Sequence, residues 1–230
     1  MTDTVFQVQD AKMLVDHFPL FGLRLRTPRL ELRLPEPEEL AELAEVAVAG
    51  IHAPDTMPFL TPWALDPPAD IARRVIQQQW RWLGAWTPQD WALKLAVFHD
   101  GEVIGQQEIS ALDLAVRREV RTGSWLGQAH QGKGFGTETR AAVLHLAFAG
   151  LGAEEAVSFA FTHNAASRAV SAKLGYADDG TERQVVQGKL VIDTRQRLTR
   201  AAWERHRTVD VTIDGLKPCL SLFGLDHGAA

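Results

Sequence analysis

The period of the apolar positions changes repeatedly along this chain, and each change predicts an element. "TPRLELRLP" alternates leucine with charged residues between Pro28 and Pro35, the pattern of a half-buried strand. "PEPEELAELAEVAVAG" opens with prolines and acids, carries Leu40, Leu43, Ala44 and Ala47 at helical spacing and stops at Gly50. The five prolines of "IHAPDTMPFLTPWALDPP" then impose a loop. A second helix is expected in "ADIARRVIQQQWRWLGAW", where Ile71, Val75, Trp82 and Trp86 fall on one stripe and read as core.

Beyond it the period shortens to two. "WALKLAVF" and "EVIGQQEISAL", joined by the turn "HDG", predict a hairpin, and "EVRTGSWLG" predicts the next strand. "TETRAAVLHLAFAGLG" returns to helical spacing through Ala141, Leu144, Phe148 and Leu151. "AVSFAF" is a strand with Val157, Phe159 and Phe161 on one side. "NAASRAVSAKLG" is a short helix between Asn164 and Gly175, and "TERQVVQGK" with "LVIDTRQRLT" closes the chain as a hairpin around Gly188. The order is strand, helix, helix, three strands, helix, strand, helix, two strands. It predicts one mixed α/β sheet of about seven strands with helices on both faces.

Composition narrows the functional classes. With 230 residues and 46% hydrophobic content, the chain has material for one substantial core. A net charge of −5 and a pI near 5.9 argue against nucleic acid as the main partner. "MTDTVFQVQD" carries acids where a secretory signal carries bases, and "AAVLHLAFAGLGA" falls short of the ~20 residues that span a bilayer, so no membrane partner is expected. The single cysteine, Cys219, has no intramolecular partner, and the eight histidines form no zinc-spaced cluster. A cytoplasmic, metal-free protein is expected.

The densest chemical signal is "HQGKGFGTE", residues 130–138. Glycines at 132, 134 and 136 strip one side of the bend of β-carbons, so successive backbone N–H groups can face one concave space. The helix that follows adds unpaired N–H donors and the positive end of its dipole. That combination suits a phosphate or pyrophosphate, with Lys133 adding charge, although a sharp strand-to-helix turn also needs glycines. An NTPase phosphate loop is excluded, because Lys133 is followed by Gly134 where that motif needs a hydroxyl. A dinucleotide fingerprint fits poorly: the third glycine comes one position early, and the preceding strand contains Glu119, Arg121 and Ser124.

"QGKGFG" resembles the Q/R-x-x-G-x-G/A loop with which GNAT-superfamily N-acyltransferases hold the pyrophosphate of CoA. "WLGQAHQGKGFGTE" and "NAASRAVSAKLGY" are similar to its ribosomal-protein N-terminal acetyltransferase-like branch. "HFPLFGLRL" and "ERHRTVDVTIDGLKPCLSLFG" resemble an actinobacterial subgroup that includes a candidate succinyltransferase. The likeness implies a GNAT domain over 26–205, an N-terminal arm over 1–25 and a C-terminal extension over 206–230, with the fourth and fifth strands splayed. It implies a direct transfer of acetyl, or succinyl, from acetyl-CoA or succinyl-CoA to a primary amine on a small molecule, a protein N-terminus or a lysine. A non-catalytic acyl-CoA sensor of the same fold is the alternative. A dinucleotide-dependent oxidoreductase is the rival from another class, and a homo-oligomer stays open.

By the same resemblance, the backbone of Gln131, Gly132, Lys133, Gly134, Phe135, Gly136 and Thr137 surrounds the pyrophosphate. Trp125, Leu126 and Gly127 face the pantetheine arm, with Val157 to Phe161 across the gap and Asn164 as a further contact or simply a helix cap. The helix position where many relatives carry a tyrosine to protonate the departing thiolate is Ser171 here, and Ser167 lies one turn earlier. Glu108 and Glu119 are the candidate bases. His52, Met57, Phe59 and Trp63 are candidates for the acceptor wall. Aligning two bound reactants can supply roughly 7–11 kcal/mol of the barrier. Neutralising the amine costs about 4.6 kcal/mol for a lysine but about 1 kcal/mol for an α-amino group at pH 7, so an α-amine needs only a modest base.

Overall fold

The computed structural model describes residues 12–53 and 56–225; positions 1–11, which include the opening "MTDTVFQVQD", positions 54 and 55 and positions 226–230 lie outside the described residues. The helices are α1 (Leu14–His17), α2 (Pro37–Val48), α3 (Pro68–Gly84), α4 (Leu114–Arg117), α5 (Phe135–His145), α6 (Ala165–Lys173) and α7 (Arg200–His206). The strands are β1 (Arg24–Arg26), β2 (Leu30–Arg33), β3 (Asp90–His99), β4 (Glu102–Leu112), β5 (Glu119–Leu126), β6 (Glu155–Phe161), β7 (Ala177–Val186), β8 (Lys189–Thr199) and β9 (Thr212–Asp214). They form one sheet in the order β7-β8-β6-β5-β4-β3-β2-β1-β9. Among the described residues only β5 and β6 run parallel.

The expected mixed sheet is present, with nine strands in place of about seven. The two additional strands, β1 and β9, span three residues each and pair as Arg24↔Asp214 to Arg26↔Thr212, too short for an alternation to be legible in sequence. They bring together the segments read as arm and extension. Leu20, Leu23, Cys219 and Phe223 within those segments are fully buried, because each packs into the same core cluster as the central strands.

Alternation along β3 sends side chains to two separate cores. Trp91, Leu93, Leu95 and Val97 pack toward α5, while Ala96 and Phe98 pack under α2 and α3 with Leu40, Leu43, Ile71 and Val75. The stripe expected on the second helix divides accordingly. Ile71 and Val75 enter the core beneath α3, but the helix ends at Gly84, and Trp86 lies beyond it, stacked on Trp91 at 5.6 Å with its indole N–H donated to the Leu222 carbonyl at 2.7 Å. No helix among the described residues is long and apolar enough to cross a membrane.

The start of α2 carries a pH-dependent anchor. Glu39 accepts the Glu36 backbone N–H at 2.8 Å and takes both ends of the Arg33 guanidinium at 2.6 Å, tying the helix to β2. The hydrogen-bonded guanidinium is the main reason the Glu39 carboxyl sits below its ordinary value of 4.5. A depressed carboxylate stabilises the fold above its unfolded pKa, and that contribution is lost as pH falls through the folded value. Glu39→Gln is therefore expected to lower the urea midpoint at pH 7 and to weaken the acid dependence of stability below about pH 4.5, read from urea titrations between pH 7 and 3.

Candidate active site

The glycine bend follows β5 and a single 3-10 turn, Gln128–His130. Gly132 (φ +74°) and Gly134 (φ +85°) adopt left-handed backbone, which explains two of the three glycines. Gly134 is the N-cap of α5, and its carbonyl accepts the N–H groups of Thr137 and Glu138 at 3.1 and 3.2 Å. The N–H groups of residues 132–136 have no hydrogen-bond partner among the described residues. A β-carbon on Gly132 would meet nothing within 4 Å, so the bend is open at that residue, whereas one on Gly134 would stand 3.3 Å from the Arg29 guanidinium. The rear of the bend is held firmly. The Gln131 side-chain amide donates to the carbonyls of Ile51 and Leu126 at 2.8 and 2.9 Å, and Arg29 donates to the Lys133 carbonyl at 3.2 Å while its guanidinium also binds buried Glu138.

Beside the bend the sheet opens. β5 and β6 are in register from Glu119↔Glu155 to Thr122↔Ser158 only, although β5 stays paired with β4 as far as Leu126 and β6 with β8 as far as Phe161. The edges of Gly123–Leu126 and Phe159–Phe161 thus face each other across a gap, presenting main-chain groups to an incoming chain. On the α2–α3 side, a cavity of about 230 Å³ reaches this splayed stretch. Phe59 and Trp63 of the proline-rich loop form one wall, and Lys94, Glu108 and Trp125 of β3, β4 and β5 form the floor. The Lys94 ammonium, almost fully buried, is ion-paired with Glu108, its direct cross-strand neighbour, and lies 5.8 Å from the Trp82 ring.

The acetyltransferase (GNAT) domain family matches residues 29–177 of this sequence. The chain belongs to the GNAT acetyltransferase family. Membership makes this GNAT chain an acyl-CoA-dependent N-acyltransferase. It is similar to the candidate ribosomal N-acetyltransferase YdaF of Bacillus subtilis (strain 168), at 27% identity over 159 residues covering 67% of this chain and 81% of the relative. Its fold is similar to that of Mycobacterium smegmatis RimJ, solved with CoA-disulfide, with TM-score 0.60, 19% identity and coverage of 79% of this chain and 90% of RimJ. It also resembles RimL, a ribosomal L7/L12 α-N-protein acetyltransferase solved with coenzyme A, with TM-score 0.61, 17% identity and coverage of 75% and 95%.

The other residues singled out in the sequence of this GNAT chain are distributed unevenly around the cavity. Glu119 lies at the far end of β5, where the parallel pairing is intact, and is ion-paired with Arg117 and Arg197 at 3.3 Å. His52 meets the Phe59 ring edge-on at 6.0 Å and shares Nδ1 with the Ala53 carbonyl at 2.8 Å; neither it nor half-buried Met57 borders the cavity. Asn164 caps α6, its side-chain oxygen accepting the Ser167 N–H at 3.1 Å. Ser167 is partly exposed, and its hydroxyl has no hydrogen bond among the described residues. Ser171 is fully buried and accepts from the Arg140 guanidinium at 2.9 Å.

Arg140 has no carboxylate partner among the described residues, and burial pushes its guanidinium below the usual range. Burial likewise raises the Tyr176 phenol, which lies 3.3 Å from the Thr122 hydroxyl. Lys94, Arg140 and the Arg29–Glu138 strap escaped the sequence reading. Lys94 alone had a signal: it is the one charged residue in "WALKLAVF", a strand otherwise apolar on both faces.

Proposed function

We propose that this GNAT chain transfers an acetyl group from acetyl-CoA to a primary amine in a ternary complex, with no covalent enzyme intermediate. The observation that carries the proposal is the run of five backbone N–H groups at 132–136, without hydrogen-bond partners among the described residues, at the N-terminus of α5 and next to the splayed strands. Donors of this kind, reinforced by the helix dipole and Lys133, suit a diphosphate. Thr137 completes the bend, and Gln131 holds it from behind. The acyl-pantetheine arm of CoA, when bound, supplies the activated thioester and the amide groups that suit the edges of Gly123–Leu126 and Phe159–Phe161; Gly127 is spoken for, its N–H donated to the Ile104 carbonyl and its carbonyl accepting from the His130 N–H. RimJ and RimL, whose folds are similar, are complexes with CoA, which agrees with this assignment. A succinyl donor would need a cation or a set of donors at its terminal carboxylate; Lys94, the cation on the cavity floor, is almost fully buried and already paired with Glu108, which favours acetyl.

Glu108 is the acidic group best placed to receive the acceptor, because it borders the cavity whereas Glu119 is engaged elsewhere. Its carboxylate orients the amine and takes its proton directly or through water. Glu108→Gln is expected to lower kcat/KM about 10–100-fold at pH 7, with the deficit shrinking above pH 9 as the amine becomes neutral unaided. Of the two serines, Ser167 is open to a departing thiolate and Ser171 is bound to Arg140. The deciding measurement is a melting-temperature screen against CoA, acetyl-CoA and succinyl-CoA, followed by thiol release with a panel of amines. A rise with acetyl-CoA and thiol release are expected. No rise with any of the three would end the donor assignment.

A further inference from the structure

The vertex of the splay is flanked by opposite charges on the two faces of the sheet. Glu108 pairs directly with Gly123 of β5 and borders the cavity on the α2–α3 side. The preceding residue, Thr122, is the last that β5 pairs with β6, and alternation sends its side chain to the other face, with Val120 and Leu126 of the α5 core. There the Thr122 hydroxyl lies 3.3 Å from the Tyr176 phenol, which in turn is close enough to feel the charge of Arg140. A single step along β5 therefore separates the level of the carboxylate from that of the guanidinium cluster.

Arg140 is a cation without a counter-ion. It is 4% exposed. One guanidinium nitrogen donates to the Ser171 hydroxyl at 2.9 Å, while Nε has no hydrogen-bond partner among the described residues and no carboxylate there faces the group. Burial holds the Tyr176 phenol above its ordinary value of 10, so the phenol is neutral at pH 7 and supplies no counter-charge. A guanidinium keeps its proton even when buried. Such a charge is destabilising in the free protein, yet it acts strongly on an anion that forms nearby, because the interior screens it little. The diphosphate has its own donors at the start of α5, whereas Arg140 lies five residues beyond Phe135, about 7.5 Å along the axis, and faces α6. The anion expected at the vertex is the departing sulfur.

Resting on the acyl-transfer reading above, we propose that Arg140 is the electrostatic counterpart of Glu108, a positioning charge whose field stabilises the CoA thiolate from the opposite face of the sheet. The amine nitrogen bonds to the thioester carbonyl carbon from the Glu108 side, and its proton passes to that carboxylate or to water. The carbon–sulfur bond breaks with its electron pair on sulfur, which leaves toward the Arg140 side and takes a proton from solvent on release. Arg140 stays protonated throughout.

The test measures binding of CoA and of desulfo-CoA, which lacks the sulfur, by calorimetry between about pH 6.5 and 9.5; the ratio of the two affinities cancels titrations of the phosphates and of the protein. A thiol whose bound pKa lies below its free value binds more tightly as pH rises through the bound value, by tenfold for each unit of depression once pH exceeds both. In the wild type the ratio should rise about fivefold or more. Arg140→Met keeps the apolar stem and removes the charge, so it should flatten the ratio and lower kcat about 10–100-fold, while the melting-temperature rise with acetyl-CoA, which carries no thiolate, stays as in the wild type. A flat ratio in the wild type, or a ratio that still rises in Arg140→Met, would overturn the inference and leave the donor site standing. If Arg140→Met does not fold, the wild-type ratio decides alone, since an arginine that only ties α5 to α6 would leave it flat. Absence of binding by both ligands would overturn the donor reading, and this inference with it.

Discussion

Replacing Gly134 with valine is expected to abolish the melting-temperature rise given by acetyl-CoA and to reduce kcat/KM by at least 100-fold, with only a modest loss of stability. The residue holds φ +85°, a left-handed conformation that β-branched side chains avoid, and a β-carbon there would stand 3.3 Å from the Arg29 guanidinium on the strap behind the bend. Backbone strain of this kind costs about 1–3 kcal/mol, tolerable for a fold whose two cores lie elsewhere. The larger effect is on binding. Gly134 stands in the middle of the run of unpaired N–H groups, so reorienting its peptide turns donors away from the anion and places methyl groups beside it. Losing two charge-assisted hydrogen bonds at about 1.5–3 kcal/mol each corresponds to a hundredfold or more in affinity. Gly132→Ala is the milder comparison: it shares the left-handed backbone (φ +74°), but its single methyl meets nothing within 4 Å, so it should retain part of the ligand response. A Gly134→Val chain that still melts higher with acetyl-CoA would show that the bend does not hold the diphosphate.

How far the site was legible in sequence follows from how each feature is encoded. The glycines of the bend were readable because a left-handed residue at an N-cap and an open concave face constrain residue type at fixed local offsets. The central strands and α2, α3, α5 and α6 were readable because burial on one or both faces imposes a period. The short edge pair β1–β9 was not, since three residues establish no period and their partners are nearly the whole chain apart. Partnership was equally hidden. Lys94 and Glu108 meet because hairpin register places them opposite each other, and one residue of slip would have separated them. Ser167 and Ser171 looked equivalent on the letters; only the packing of α5 against α6, which delivers Arg140 to Ser171, distinguishes them.

Glu138→Leu should produce the complementary phenotype, losing both stability and ligand response. Glu138 sits one turn into α5 with 8% of its side chain exposed, and it collects hydrogen bonds from the turn between β1 and β2: the Thr27 hydroxyl at 2.6 Å, the Arg29 backbone N–H at 3.1 Å and the Arg29 Nε at 2.7 Å. Leucine preserves the volume and leaves those donors without their acceptor. The Arg29 side chain is 45% exposed and recovers water, so the charge contributes less than in a buried pair. The part-buried backbone and hydroxyl donors recover less. A loss of about 2–3 kcal/mol is expected, which at a urea m-value near 2–3 kcal/mol/M lowers the midpoint by about 1 M. Freed from Glu138, Arg29 no longer holds its hydrogen bond to the Lys133 carbonyl in place, and the bend loses its rear support. The CoA-induced rise should therefore shrink even at temperatures where the variant is fully folded. Arg29→Met separates the two effects, because it removes the strap but keeps the Thr27 and backbone donors on Glu138; it should cost less stability than Glu138→Leu and a similar share of the ligand response. If Arg29→Met left the ligand response intact, the strap would be a stability element alone, and the free N–H groups of the bend would hold their geometry through the glycines and Gln131.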